Sequence, residues 1–213
     1  MNVTVKWLGH ASFRIKTDGK TIYIDPYEGR YTEKADLILV THSHYDHCDP
    51  SKISKIWKGD TVIIAPRDCA QSIRREVKSL KTGESLEVDG INVTAVAAYN
   101  YKRFRSPGVP FHPRGLGVGY LIKIGVKTLY HAGDTDFVPE MKDLKGIDLA
   151  MIPIGGTYTM DNAEAVEAVL AFKPKRVIPM HRWDTDPEEF ERALKAKSDI
   201  EVITLNPDEE TII

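Results

Sequence analysis

The stretch Thr41-His42-Ser43-His44-Tyr45-Asp46-His47 sets three imidazoles and a carboxylate within six residues. Imidazoles two apart in an extended segment project the same way and can grip one cation, while Asp46 and His47, on the turn after them, can reach a second. Leading into it, Leu37-Ile38-Leu39-Val40 is continuously apolar after Asp36. Such a run is a strand buried on both faces, central in its sheet, and central strand ends are where α/β architectures place polar catalytic groups.

The same arrangement recurs downstream. Arg176-Val177-Ile178-Pro179-Met180 is a second buried strand and ends on His181. Asp134 sits in Tyr130-His131-Ala132-Gly133-Asp134-Thr135, at a strand end next to glycine, where a carboxylate can bridge two cations; Asp136, two residues on, is the control position, expected to matter less. His112 lies in Phe111-His112-Pro113-Arg114-Gly115, just ahead of a strand at Tyr120. Seven candidate ligands exceed the needs of one four-coordinate ion, so two ions are expected.

Between these points the pattern alternates. Segments 12–16 and 21–24 flank Asp18-Gly19, 86–88 and 91–97 flank Asp89-Gly90, and 120–124 and 127–130 flank Gly125, so each pair predicts an antiparallel hairpin with one buried face. Asp161-Asn162-Ala163-Glu164 has the spacing of a capping box, and Asp186-Pro187-Glu188-Glu189 combines an N-cap with proline at the first helical position, opening a helix to about residue 197. Residues 67–80 are expected to form a third helix. The expectation is an α/β chain of mixed sheet with helices outside, one domain over residues 1–213 because no linker interrupts it. Hairpins in both halves, each with a histidine-tipped strand, point to an internal duplication.

Lys and Arg number 29 against 31 Asp and Glu, a net charge of −2, which excludes a general attraction for nucleic acid or anionic membrane. The longest apolar runs, 37–40 and 62–65, are strand-sized and too short for membrane insertion. The N-terminus has neither a basic nor an apolar signal region, and two cysteines, Cys48 and Cys69, make no disulfide framework. A cytoplasmic enzyme is expected.

Trp7-Leu8-Gly9-His10-Ala11-Ser12-Phe13, the His-x-His-x-Asp-His stretch, a histidine before a glycine-rich strand, Ala132-Gly133-Asp134-Thr135 and Pro179-Met180-His181 succeed one another in the order of the metallo-β-lactamase superfamily. Over residues 3 to about 206 the chain resembles that family's branch of small metal-dependent hydrolases, which includes ascorbate-6-phosphate lactonase and N-acyl-phosphatidylethanolamine phospholipase D. The resemblance implies a four-layer αββα sandwich with a dinuclear centre. Carried over residue by residue, His42, His44 and His112 would hold one divalent ion. Asp46, His47 and His181 would hold the other, with Asp134 bridging and Asp46 orienting a metal-bound hydroxide as nucleophile. Many relatives place the third histidine of the first ion directly after the strand that here reads Ala97-Ala98-Tyr99, where this chain has Asn100; Asn100 or water is the alternative to His112. Zinc suits such a ligand set best, with manganese, nickel or iron as alternatives.

Other residues fall around this set. His10 ends a strand in the family-like motif and is expected to donate a proton or bind substrate; His131 and Asp25 are expected just behind the ligands. Gly155-Gly156-Thr157-Tyr158 comes after another apolar strand and is either a substrate contact, through Tyr158, or a tight connection. Tyr101-Lys102-Arg103-Phe104-Arg105 with Arg114 is a basic segment that its prolines keep from being helical, so Arg103, Arg105 and Arg114 are expected over the site, holding an anionic substrate. The expected activity is hydrolysis of an ester, lactone or phosphoester-type bond in a small anionic molecule. The alternatives are a phosphodiesterase or nuclease on the same centre, with nucleic acid disfavoured by charge, and a non-hydrolytic metal-binding module. A homo-oligomer is left open.

Overall fold

A computed structural model describes residues 2–213; Met1, the first residue of the N-terminal stretch tested for a signal region, lies outside them. The first half runs β1 (Thr4–Gly9), β2 (Ser12–Thr17), β3 (Lys20–Ile24), β4 (Leu37–Leu39), α1 (Pro50–Ile56), β5 (Val62–Ile64) and α2 (Cys69–Ile73). The middle contributes β6 (Ser85–Val88), β7 (Ile91–Ala98), a small hairpin of β8 (Phe104–Ser106) and β9 (Val109–Pro110), β10 (Gly117–Ile124) and β11 (Lys127–His131). The last part adds β12 (Leu149–Pro153), α3 (Asn162–Phe172), β13 (Arg176–Met180), α4 (Pro187–Lys195), β14 (Glu201–Val202) and β15 (Glu210–Ile212).

Two sheets result, ordered β15-β1-β2-β3-β4-β5 and β14-β13-β12-β11-β10-β7-β6. All three expected hairpins form. β4 and β13 are central strands, each parallel to both neighbours, which is why they read as unbroken apolar runs. Alternation along the strands sorts side chains into three cores. Ile22, Ile24, Leu37 and Leu39 meet Ile122, Leu129, Met151 and Ile178 between the sheets. Tyr23, Ile38 and Ile63 pack outward with Ile53 and Ile56 of α1. Tyr130, Ala150 and Ile152 pack outward with Val166, Val169 and Phe172 of α3 and Phe190 of α4. Three cores between four layers make the αββα sandwich expected. Each fully buried aliphatic or aromatic side chain contributes about 1.5–3 kcal/mol.

The helix signals work as their chemistry requires. The Asp161 carboxylate accepts from the Glu164 N–H at 2.9 Å, and Asp186 accepts from the Glu188 N–H at 2.9 Å. α1 adds to the expected helices, and Asp49-Pro50 carries the same signal for it: the Asp49 side chain accepts from the Ser51 and Lys52 N–H groups. The helix expected over 67–80 shrinks to Cys69–Ile73. Arg74 enters the left-handed region (φ 54), and the chain then lays Lys78 on the open edge of β5, exchanging backbone hydrogen bonds with Ile63 and Ala65. Tertiary pairing outweighs a weak helical pattern there. The helix expected to reach 197 ends at Lys195.

Candidate metal centre

β1, β3, β4, β7, β11 and β13 run in the same sense within their sheets, so the loops after them open on one edge of the sandwich. Those loops carry His10, Asp25, His42 to His47, His112, Asp134 and His181. The sheets are tied together beside them: the Tyr120 hydroxyl donates to the Val40 carbonyl at 2.8 Å, the Val118 N–H to Thr41 O at 2.9 Å, and the His181 N–H to His10 O at 3.0 Å. Gly117 allows this approach, since a Cβ there would stand 2.8 Å from the His42 Cβ. Gly133 turns the chain with φ +65 to present Asp134.

Ligand atoms gather in three overlapping groups: His42, His44 and His112; His42, His47 and Asp134; and His10, Asp46, His47 and His181, each group lying within 4.8 Å. The carboxylate of Asp134 stands between them. Its Oδ2 is 3.4 Å from His112 Nε2 and 3.1 Å from His181 Nε2, and its Oδ1 is 3.5 Å from His47 Nε2. Yet Asp134 Oδ1, His47 Nε2, His10 Nε2 and both ring nitrogens of His181 are buried without a hydrogen-bond partner. Buried polar atoms that converge without bonding one another fit coordination of a cation.

On His42, His47 and His112 the opposite ring nitrogen is occupied. The Asp25 carboxylate, fully buried, accepts from His47 Nδ1 at 2.8 Å and from the Thr41 backbone N–H and hydroxyl at 2.7 Å each. The Thr41 hydroxyl, its proton committed to Asp25, accepts from His42 Nδ1 at 3.0 Å. The Asn100 carbonyl oxygen accepts from His112 Nδ1 at 2.7 Å and from the His112 N–H at 2.9 Å. Each bond turns Nε2 toward the cluster, where His42 Nε2 meets His44 Nδ1 at 3.1 Å. Asn100 therefore stands behind His112, and its own amide donates away to Asp136 and to the Tyr158 carbonyl.

Burial pushes the pKa of His42, His44 and His10 down, and that of His112 down to about 4, so these rings are neutral at pH 7. His47 goes the other way: burial lowers it, but the flanking Asp134 and Asp25 carboxylates outweigh burial and hold it well above the usual range. Burial alone would raise Asp134 and Asp46; His181 and His47 instead pull Asp134 far down, and His10, 3.2 Å away, with His47 brings Asp46 to about 2. The neutral rings of His10, His42, His44 and His112 and the ionised carboxylates match the donor set that a divalent metal requires, and His47 would have to give up its proton to join them.

The other anticipated residues separate. His131 is fully buried, donates from Nε2 to Ala11 O at 2.9 Å and accepts the Gly133 N–H at 3.2 Å; it braces the turn that presents Asp134 and faces none of the ligands. A cleft of ≈ 660 Å³ opens above the cluster, lined by Arg105, Tyr158, Tyr45, Phe111 and Trp183 among others. Arg103 and Arg114 do not line it. Arg103 is drawn inward by carboxylates, bonding Asp136 at 2.6 Å, Glu164 at 2.5 Å and the Gly156 carbonyl at 2.8 Å. Arg114 lies over the Tyr99 ring and pairs with Glu140. Asp136, expected to be a bystander, is a buried hub that also accepts the Tyr101 and Lys102 N–H groups. Sequence reasoning gave no role to Thr41 or Trp183, although Thr41 adjoins His42 and Trp183 follows His181 by two residues, which was the available signal.

A beta-lactamase superfamily domain matches residues 4–181. The chain belongs to the metallo-β-lactamase superfamily. It stands among that family's metal-dependent hydrolases: a UPF0173 metal-dependent hydrolase of Pyrococcus horikoshii is 38% identical, over 98% of both chains. Among solved structures, a metal-dependent hydrolase from Parabacteroides distasonis is 37% identical with a TM-score of 0.89, covering 95% of this chain and 92% of its own. Igni18, a metallo hydrolase from Ignicoccus hospitalis, is 25% identical with a TM-score of 0.82 over 100% and 99%.

Proposed function

We propose that this hydrolase carries a dinuclear centre and cleaves an ester, lactone or phosphoester-type bond in a small anionic molecule. The observation that carries the reading is Asp134, whose carboxylate stands within 3.5 Å of imidazole nitrogens from both ligand groups while its Oδ1 has no hydrogen bond. His42, His44 and His112 form one half of the site; Asp46, His47 and His181 form the other. A bound pair of divalent cations, zinc by the preference of imidazole and carboxylate donors, supplies Lewis acidity and lowers the pKa of water toward neutrality.

The chain's own groups do the rest. Asp46, held ionised, orients the attacking water. His10, paired with Asp46, is assigned the proton transfer to the leaving atom. Arg105 takes the anionic part of the substrate, because its only hydrogen bond among the described residues is to the Phe111 carbonyl and the guanidinium otherwise faces the cleft. The two unpaired buried thiols, Cys48 and Cys69, suit a reducing compartment such as the cytoplasm. No helix among the described residues is long and apolar enough to cross a membrane.

The test couples stoichiometry to turnover. Purified protein should approach two transition-metal equivalents, and Asp134→Ala should lose at least one with nearly all turnover on a panel of lactones, carboxylic esters and phosphodiesters. A tight stoichiometry of one that added metal does not change would sink the dinuclear reading.

A further inference from the structure

The loops that present candidate ligands also present aromatic rings. Tyr45 sits between His44 and Asp46, Phe111 adjoins His112, and Trp183 lies two residues after His181, while Tyr158 comes from the loop after β12. Tyr45 is 73% exposed, Trp183 57% and Tyr158 40%, and all three open onto the same cleft. Large apolar side chains left singly in water need no explanation, but several gathered at the mouth of one polar cleft mark a binding surface.

These rings are held rather than loose. Phe111 meets Tyr158 edge-to-face at 4.8 Å, and Tyr45 leans on Tyr27 at 5.8 Å. Trp183 stands edge-on to His10 at 5.0 Å and to His181 at 5.7 Å. Its backbone takes φ 48, a left-handed conformation that a bulky residue adopts only when its surroundings impose it. The structure thus fixes an indole at the cleft edge with much of its surface in water.

The cleft is also asymmetric. Arg105 lies on the side of His44 and His112, with Phe111 and Tyr158 beside it. Trp183 lies on the side of His10 and His181, next to the carboxylate of Asp184, which also lines the cleft. An anionic group is favoured at Arg105 and disfavoured beside Asp184, so the Trp183 end is left to an uncharged, apolar part of the substrate.

We infer that the substrate is an amphiphilic anion: a carboxylate or phosphate group held at Arg105, joined through the cleavable bond to a planar aromatic or extended apolar group that lies against Trp183 and Tyr45. Cleavage of the bound molecule rests on the hydrolase reading, whereas binding itself rests on the cleft's own surface.

The experiment measures equilibrium binding to the metal-loaded protein of three probes that cannot be hydrolysed: 2-naphthylphosphonate, methylphosphonate and 2-naphthylmethanol. The naphthyl anion should bind at least about tenfold more tightly than either single-feature probe, the contribution of one good aromatic contact. Trp183→Ala should bring the naphthyl-to-methyl affinity ratio toward one, and Trp183→Phe, which keeps a ring, should restore most of it. Arg105→Gln should narrow the advantage of the naphthyl anion over the neutral naphthyl probe, by the part that the metal ions do not supply. Equal binding of the two phosphonates, no binding of the naphthyl anion, or an unchanged ratio in Trp183→Ala would each overturn the inference. Failure of the hydrolase reading looks different: naphthyl selectivity would persist in binding while no ester, lactone or phosphodiester turned over.

Discussion

Replacing Asn100 by alanine removes one carboxamide that touches four partners. Its oxygen accepts from His112 Nδ1 at 2.7 Å and the His112 N–H at 2.9 Å; its amide donates to Asp136 and to the Tyr158 carbonyl, both at 3.0 Å. Two effects should separate. The buried groups left without partners cost about 1–3 kcal/mol each at most, and partial rescue by water should hold the loss of folding stability to about 2–4 kcal/mol. Independently, the His112 ring loses the acceptor that fixes its tautomer and aims Nε2 at Asp134. Loss of such an outer partner lowers metal affinity about 10- to 100-fold, or roughly 1.4–2.7 kcal/mol. Competition with a fluorescent chelator, run beside thermal unfolding, reads both quantities on the same protein. The expected result is one weakened equivalent and one nearly unchanged, because His47 and His181 do not touch Asn100. A variant with lowered Tm but wild-type affinity for every equivalent would show that the carboxamide is purely structural. Equal weakening of both equivalents would refute the division of the site into two halves.

Three further outcomes are expected from the same geometry. Asp25→Ala should weaken metal binding about 10- to 100-fold through His47, whose Nδ1 loses its 2.8 Å partner, and chelator competition measures it. Arg103→Ala should act on folding and not on recognition: it strips the counter-charge from buried Asp136 and Glu164, a loss of about 3–5 kcal/mol and on the order of 10 °C in Tm, while KM for anionic substrates in the folded fraction stays within error. Acidification should destabilise the metal-free protein between pH 6.5 and about 4. There the unfolded chain protonates a histidine that His112, held to about 4, leaves neutral in the fold, so stability is full above 6.5 and falls by about 3 kcal/mol as pH drops through this window. His47, raised instead, adds stability that is complete below 6.5 and lost as pH rises above it toward the raised folded value, so it does not offset the fall. A flat Tm between pH 6.5 and 4 in chelated protein would contradict the burial argument.

What could be read from the chain depends on how local each cause is. Asp18-Gly19, Asp89-Gly90 and Gly125 specify their turns alone, and the unbroken apolar runs of β4 and β13 report burial on both faces. That His42, His44, Asp46, His47, Asp134 and His181 come together was legible because each lies at or just past a strand end, and strand ends are visible. Arg103 was misplaced because nothing near it announces Asp136 and Glu164, which lie 33 and 61 residues away and are brought close only by the second sheet and α3. The charge run looked like a ligand surface; half of it turned out to be an internal ion-pair network. Asn100 was legible only as a missing histidine, since its bond to His112, twelve positions on, depends on the path of the β8–β9 hairpin between them.

The expected duplication has a counterpart in strand order, and it accounts for the charge on one histidine. β1-β2-β3-β4-β5 repeats as β7-β10-β11-β12-β13, with two antiparallel pairings and then two parallel ones in each set. In both, a carboxylate comes after the third strand: Asp25 after β3 and Asp134 after β11. His47 lies between them, with Nδ1 2.8 Å from Asp25 and Nε2 3.5 Å from Asp134. The pair differs in what else it meets. Asp25 is saturated by Thr41 and His47, so it can only orient. Asp134 meets no backbone donor at Oδ1 and faces imidazoles from both halves, so it stays available to a cation. Topologically equivalent positions have thus been divided by their neighbours into a saturated outer partner and a carboxylate left to the candidate site, and the divergence rests on whether the Thr41 donors or a set of imidazoles faces the carboxylate.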